Sequence, residues 1–226
     1  RFGENKFFKY TKNLRWIRLL YAHPAHFTGE LINEIKANSR VCRYIDLPVQ
    51  HINDKILKAM GRKITKKEII KLIYKLREEI PGVAIRTSLI VGLPGEGEKE
   101  FKELLDFMKA VKFQRLGIFT YSREEGTAAY NFKPQVSEKE KKYRLDEAMK
   151  VQQEISKEVN GSFMGKVLTV LIDEVDKNNQ GSYIGRTYAD APEVDGQVFV
   201  KSGKLLKPGD FAEVKITDTM EYDLSG

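Results

Sequence analysis

Cysteine is almost missing from this 226-residue chain, which has one, Cys42. A lone cysteine can form no intramolecular disulfide and cannot by itself hold a metal cluster. Its flanks, Arg40-Val41-Cys42-Arg43-Tyr44, lead into an apolar run. A reduced thiol packed near a strand start is expected, in a cytoplasmic protein. No apolar run approaches the roughly 18 residues of a membrane span, so no membrane is expected. Histidine is scarce, at three residues, and no His-x-His or His-x-x-x-His pair occurs. A metal-dependent barrel hydrolase would therefore have to bring His23 and His51 together with Asp46 or Glu96 from distant segments. No Gly-x-Gly-x-x-Gly follows a strand-like run, which leaves a dinucleotide fold without support. Neither Ser88 nor Ser122 lies on a nucleophile elbow, so no Ser–His–Asp arrangement can be argued.

What is present reads as a globular chain with a proper core. Hydrophobic residues make 41% and charged residues 31% of it, with a net charge of +7. That charge could attract nucleic acid or a ribosome, or could be solvated lysine faces. Lys66, Lys67, Lys71 and Lys75 fall on the polar side of one helical stripe, which suits the second reading.

Four times an apolar, strand-like run precedes a helical pattern. The runs are 15–21, 44–50, 84–91 and 116–121. Pro48 inside the second suggests a bulge or strand end. Thr28 opens a short helix with Leu31, Ile32 and Ile35 on one face, and Ile56, Leu57 and Met60 mark another. Thr65 and Glu68 form a capping box, followed by Ile69, Leu72, Ile73, Leu76 and Ile80 at helical spacing and by Pro81-Gly82 as a stop. Phe101, Leu104, Leu105, Met108 and Val111 mark the next helix. Ser137 and Glu140 open a long one, with Leu145, Ala148, Met149, Gln152, Ile155 and Val159 inward. Strand–helix alternation implies parallel strands joined by right-handed crossovers. After Gly165 the pattern becomes short strands, 167–172, 181–188, 198–200 and 211–216, with turns at 178–181, 195–196 and 208–210. The expected architecture is α/β, an open barrel or doubly wound sheet over 1–162, then a small all-β, OB-like barrel over 163–226. Tyr188 and Phe199 are expected in the small barrel's core; exposed, they would favour a bare RNA- or ribosome-binding module.

Sites in parallel α/β folds gather at the carboxyl ends of the strands. Here those ends carry His23-Pro24, Gln50-His51, Gly92-Leu93-Pro94-Gly95-Glu96 and 121–127. Gly92 lets backbone approach a flat ligand, or makes a tight turn with Glu96 at a helix start. Arg86 and Ser88 share one face of their strand, and Thr87 takes the other. An arginine in a buried strand needs a partner or a ligand, and Asp46, one strand over, is the plausible partner.

Together "WIRLLYAHP" (16–24), "YIDLPVQH" (44–51), "ILKAMGR" (56–62), "RTSLIVGLPGE" (86–96) and "LGIFTYSREEGTAAYN" (116–131) resemble the radical-SAM methylthiotransferases. Gln50-His51, "SREEGT" (122–127), "GRTYADAPEVDG" (185–196) and "EYDLSG" (221–226) resemble the ribosomal-protein-modifying branch more than its tRNA-adenosine sibling. The resemblance implies a partial open TIM-like (β/α) barrel, here its third to sixth units, followed by a TRAM domain that docks a small-subunit ribosomal protein. It implies methylthiolation of the β-carbon of an aspartate, with S-adenosyl-L-methionine (SAM) and two [4Fe–4S] clusters in the full-length protein. The CxxxCxxC motif of that family is not in this sequence. This part alone is therefore expected to hold no cluster and to be inactive. The resemblance implies Gln50, Arg86, Ser88, Gly92 and Glu96 as the cofactor-facing residues. His23, His51, Tyr121 and Glu125 are the substrate-side candidates. Direct RNA contact remains open.

Overall fold

The computed structural model describes residues 14–24 and 27–226. Residues 1–13, the start of the expected barrel segment, lie outside the described residues. Four parallel strands form one sheet in chain order: β1 (Ile17–Leu19), β2 (Val41–Asp46), β3 (Ala84–Val91) and β4 (Arg115–Thr120). Helices α1 (Gly29–Ala37), α2 (Asp54–Ala59), α3 (Lys66–Glu79) and α4 (Glu98–Val111) connect them, as parallel neighbours require. A long helix, α5 (Glu138–Gly161), follows.

Strand alternation divides the sheet into two faces. Val41, Ile45, Ile85, Leu89, Val91 and Ile118 turn toward the helices. There they meet Ile32 and Ile35 of α1, Ile69, Ile73 and Leu76 of α3, and Leu104 and Met108 of α4 in one core. The other, inner face carries Tyr44 and Asp46 from β2, Arg86, Ser88 and Ile90 from β3, and Arg115, Gly117 and Phe119 from β4.

β3 spans the residues expected of it, whereas β2 begins and ends earlier. The chain leaves the sheet at Leu47, before Pro48, and Gln50 rejoins through a single bridge to Leu89. Thr65 and Glu68 form the reciprocal capping box at the start of α3. The second expected box is only half made. Ser137 accepts from the Glu140 amide, but the Glu140 carboxylate pairs with Arg144 one turn on, 2.9 Å from Nε. The inner face of α5 also differs from the apolar stripe. Met149 is exposed, while Lys141, Arg144, Gln152, Ser156 and Asn160 are buried beside Ala148 and Ile155. Long polar side chains bury their stems when their heads find partners, and an apolar count does not register them.

The second unit is a six-stranded mixed sheet in the order β8-β5-β6-β7-β10-β9. Its strands are β5 (Val167–Val175), β6 (Ser182–Arg186), β7 (Val198–Lys201), β8 (Phe211–Lys215), β9 (Asp218–Thr219) and β10 (Leu224–Ser225). The edge strands β8 and β9 are joined by only Ile216 and Thr217, so the sheet curls back on itself. Val170, Ile172, Tyr183, Val198, Val200, Val214 and Leu224 fill its interior. Tyr188 and Phe199 do not. Phe199 points out of β7, and Tyr188 leaves the small unit to pack against the α/β sheet. Among the described residues, no helix is long and apolar enough to cross a membrane.

Candidate functional site

The amino-terminal half of the inner face is closed by the small unit. The connection between β6 and β7 reaches under the sheet, where Ala189 and Ala191 pack on Cys42, Tyr44 and Ala84. Polar contacts fix it there. Arg18 donates to the Tyr188 carbonyl at 2.9 Å, and the Tyr44 hydroxyl donates to Asp195 at 2.7 Å. Arg115 donates through Nε to Asp190 at 2.7 Å and through a terminal nitrogen to Asn160 of α5 at 3.1 Å. Asn160 in turn donates to the carbonyls of Met220 and Glu221. Cys42 sits in this floor as a buried thiol, its pKa raised by burial. No group of three His, Cys, Asp or Glu side chains lies together as a metal site among the described residues.

The carboxyl-terminal half of the same face is open. Arg86 stands between the halves. It donates to Asp46 at 2.9 Å, and its Nε lies 3.4 Å from Asp195. Burial opposes its charge, yet Asp46, and after it Asp195, raise its pKa above the ordinary guanidinium value. Above Arg86 lie Ser88, Ile90 and the exposed Phe119. Gly117 leaves room for this layer: a Cβ there would meet the Phe119 ring at 3.2 Å and an Arg86 nitrogen at 3.7 Å. Tyr21 and Gln50, in the segments after β1 and β2, have φ of 58° and 69°. Non-glycine residues in the left-handed region are uncommon and cluster where a fold holds strain for function. The Tyr21 amide is tied down by Asp46 at 3.1 Å. Nothing in the sequence marked these two conformations.

The loops above the sheet place three of the candidates in packed surroundings. Glu96 does not face the open half. Its carboxylate is buried, accepts from the Gly92 amide at 3.0 and 3.1 Å, and pairs with Arg144 of α5 at 2.8 Å. Burial alone would raise its pKa, but His51, the Gly92 amide and Arg144 together hold it below the usual carboxylate range. His51 is not on a substrate surface either, being fully buried. Its Nδ1 accepts from the Asn53 amide at 3.0 Å, and its Nε2 lies 3.5 Å from Glu96. Gly92, at φ +75°, is backed by protein: a Cβ would sit 2.4 Å from Cγ of Lys141. The sharp turn and the close approach of α5 both require glycine here.

Of the remaining candidates, Tyr121 has a buried hydroxyl without a hydrogen-bond partner and a ring 5.2 Å from the Lys141 ammonium. Glu125 is exposed in the loop after β4, and His23 is half-buried after β1. The structure thus groups Asp46, Arg86 and Ser88 on the inner face, while Gln50 bridges to Leu89 at the carboxyl end of β3. It groups His51, Gly92 and Glu96 in the packed loops behind.

Comparison with known proteins finds likenesses for both units of the chain. Residues 4–108 match the radical SAM superfamily and residues 164–226 match the TRAM domain. The chain is 50% identical over 215 residues to a protein of Caldanaerobacter subterraneus named ribosomal protein uS12 methylthiotransferase RimO. It is 51% identical over 215 residues to one of the same name from Desulforamulus reducens. Each alignment covers 95% of this chain and 48% of the relative, so the chain spans about half the length of the curated relatives it matches. Among solved structures, coproporphyrinogen III oxidase (HemN) of Escherichia coli, titled a radical SAM enzyme, superposes with a TM-score of 0.53. The identity is 21%, and the match covers 62% of this chain and 32% of that one, a likeness of fold. The chain thus carries a radical SAM superfamily match over residues 4–108 and a TRAM-domain match over 164–226, and along 95% of its length it is similar to proteins named ribosomal protein uS12 methylthiotransferase RimO.

Proposed function

We propose that this chain supplies the barrel mouth and docking domain of an enzyme that methylthiolates the β-carbon of an aspartate in ribosomal protein uS12. Half-identity to RimO relatives over 95% of the chain carries this reading. SAM is the proposed cosubstrate, and bound in a protein of the relatives' full length it would supply the radical chemistry of the superfamily. The residues of this chain do not fit a [4Fe–4S] cluster. Its one cysteine is buried in the sealed floor, and no step is assigned to a cluster here.

The open half of the inner face does fit a nucleoside. Ser88 can hold a polar group, Gln50 stays a cofactor-side candidate at the carboxyl end of β3, Ile90 and Phe119 offer apolar surface, and Arg86 places a guanidinium beneath them. Glu96 and Gly92 act one layer back. They fix the β3–α4 loop against α5 and keep water from the core. His23, Tyr121 and Glu125 remain on the substrate side of the proposal, and His51 joins the supporting layer. The barrel part is taken as 1–162 and the TRAM part as 163–226.

Charge favours a protein over RNA as the partner of the small unit. Residues 164–226 hold seven Lys and Arg against eleven Asp and Glu, while residues 1–163 hold 32 against 21. An acidic surface repels phosphate and suits a basic protein. A ribosomal target places the reaction in the cytoplasm. The test uses this chain within a protein of the relatives' full length, reconstituted with iron and sulfide and offered both uS12 and tRNA. Mass spectrometry should find the methylthio group on a uS12 aspartate. A modified adenosine, or no product on either substrate, would refute the assignment.

A further inference from the structure

Among the described residues, Arg86 is the inner-face cation that touches both the open half and the floor. Its guanidinium bridges two carboxylates from different units: Asp46 of β2 at 2.9 Å and Asp195 of the small unit at 3.4 Å. Both carboxylates are almost fully buried. Asp195 is itself held from two sides, by the Tyr44 hydroxyl of the sheet at 2.7 Å and by the Ala191 amide of its own loop at 2.8 Å. Asp46 also takes the amide of Tyr21, a residue whose φ is 58°. A continuous chain of contacts therefore runs from the β6–β7 connection through Asp195, Arg86 and Asp46 to the loop after β1.

We propose that Asp195 is a positioning residue for Arg86, so that the small unit completes the proposed pocket as well as docking the substrate. The inference rests on the reading of the open inner face as the reaction site. A buried guanidinium with one carboxylate can pivot about that contact. With two on different sides, its plane is fixed, and so is the charge it presents toward Ser88. The connection that carries Asp195 cannot shift without changing the field at the mouth. Asp190, five residues earlier, anchors the same connection to Arg115 without touching Arg86. It provides a control for damage to the interface alone.

The test is a double-mutant cycle in the full-length, cluster-loaded protein with uS12 as substrate. Arg86→Gln should lower kcat/KM about a hundredfold and Asp195→Asn about tenfold, and the double variant should equal Arg86→Gln alone. Asp190→Asn should lower the melting temperature at least as much as Asp195→Asn and leave kcat/KM within about twofold of the parent. A second readout needs no turnover. The Nε–H resonance of Arg86, assigned from its loss in Arg86→Gln, should shift and exchange faster in Asp195→Asn and stay unchanged in Asp190→Asn. Additive effects of Arg86→Gln and Asp195→Asn, or equal loss of activity in Asp190→Asn and Asp195→Asn, would overturn the positioning role. An Arg86→Gln variant with parental kinetics would instead overturn the site assignment beneath it.

Discussion

The two halves of one sheet face have opposite character. At the amino ends of the strands, each buried charge has an opposite partner: Arg115 with Asp190 at 2.6 Å, and Arg86 with Asp46 and Asp195. At the carboxyl ends, Leu20, Tyr21 and Phe119 stand exposed, and Tyr21 and Gln50 hold left-handed backbone. One end is built to stay shut and the other to receive something. Variants should divide accordingly, with Arg86 and Asp195 on the boundary acting on activity: the other floor and loop changes act on stability, and mouth changes act on activity.

The largest stability effect is expected where a buried pair loses one member. Arg144→Ala leaves the Glu96 carboxylate buried without its guanidinium, which should cost about 3–5 kcal/mol. In a domain of this size that lowers the melting temperature by about 10 °C, read by calorimetry. Gly92→Ala should come next. It forces a side chain into φ +75° and onto Lys141, and should cost about 3 kcal/mol. Parental stability in either variant would mean that α5 does not hold the β3–α4 loop.

The pH dependence of unfolding sharpens the contrast through its sign. Glu96 has a depressed pKa in the fold, so its stabilisation is present above the unfolded value of about 4.3 and is lost as pH falls through the folded one. Asp195 has a raised pKa because of burial, so its ionisation penalty is present at neutral pH and fades as pH falls through its folded value. Chemical denaturation between pH 3 and 7 should therefore show Glu96→Gln flattening the acid loss of stability and Asp195→Asn steepening it. Same-sign changes would contradict the assignment. The smallest stability effect belongs to the mouth. Phe119→Ala should shift stability by no more than about 0.5 kcal/mol while lowering turnover.

The sequence made part of this contrast legible. Alternation along β3 put Arg86 and Ser88 on one face and Thr87 on the other, and Asp46 followed as the partner of Arg86. Thr65 and Glu68 announced the start of α3 because a capping box is a local contact. What sequence reading missed depends on contacts between distant residues. The burial of His51 and Glu96 is one case: it depends on Arg144, 48 positions after Glu96. The floor is likewise invisible locally, because Tyr44 and Asp195 lie 151 positions apart. The backbone of Tyr21 and Gln50 has no signal at all, since neither is glycine or asparagine.

The most direct measurement is the rate of the proposed uS12 aspartate methylthiolation by a protein of the relatives' full length carrying Ser88→Trp, set beside Asp190→Asn. Both variants must first be shown to be folded by circular dichroism. If the open half of the inner face is the reaction site, the tryptophan fills it and product disappears, while the floor variant, though less stable, keeps its rate. A folded Ser88→Trp protein that methylthiolates uS12 at the parental rate would place the chemistry elsewhere.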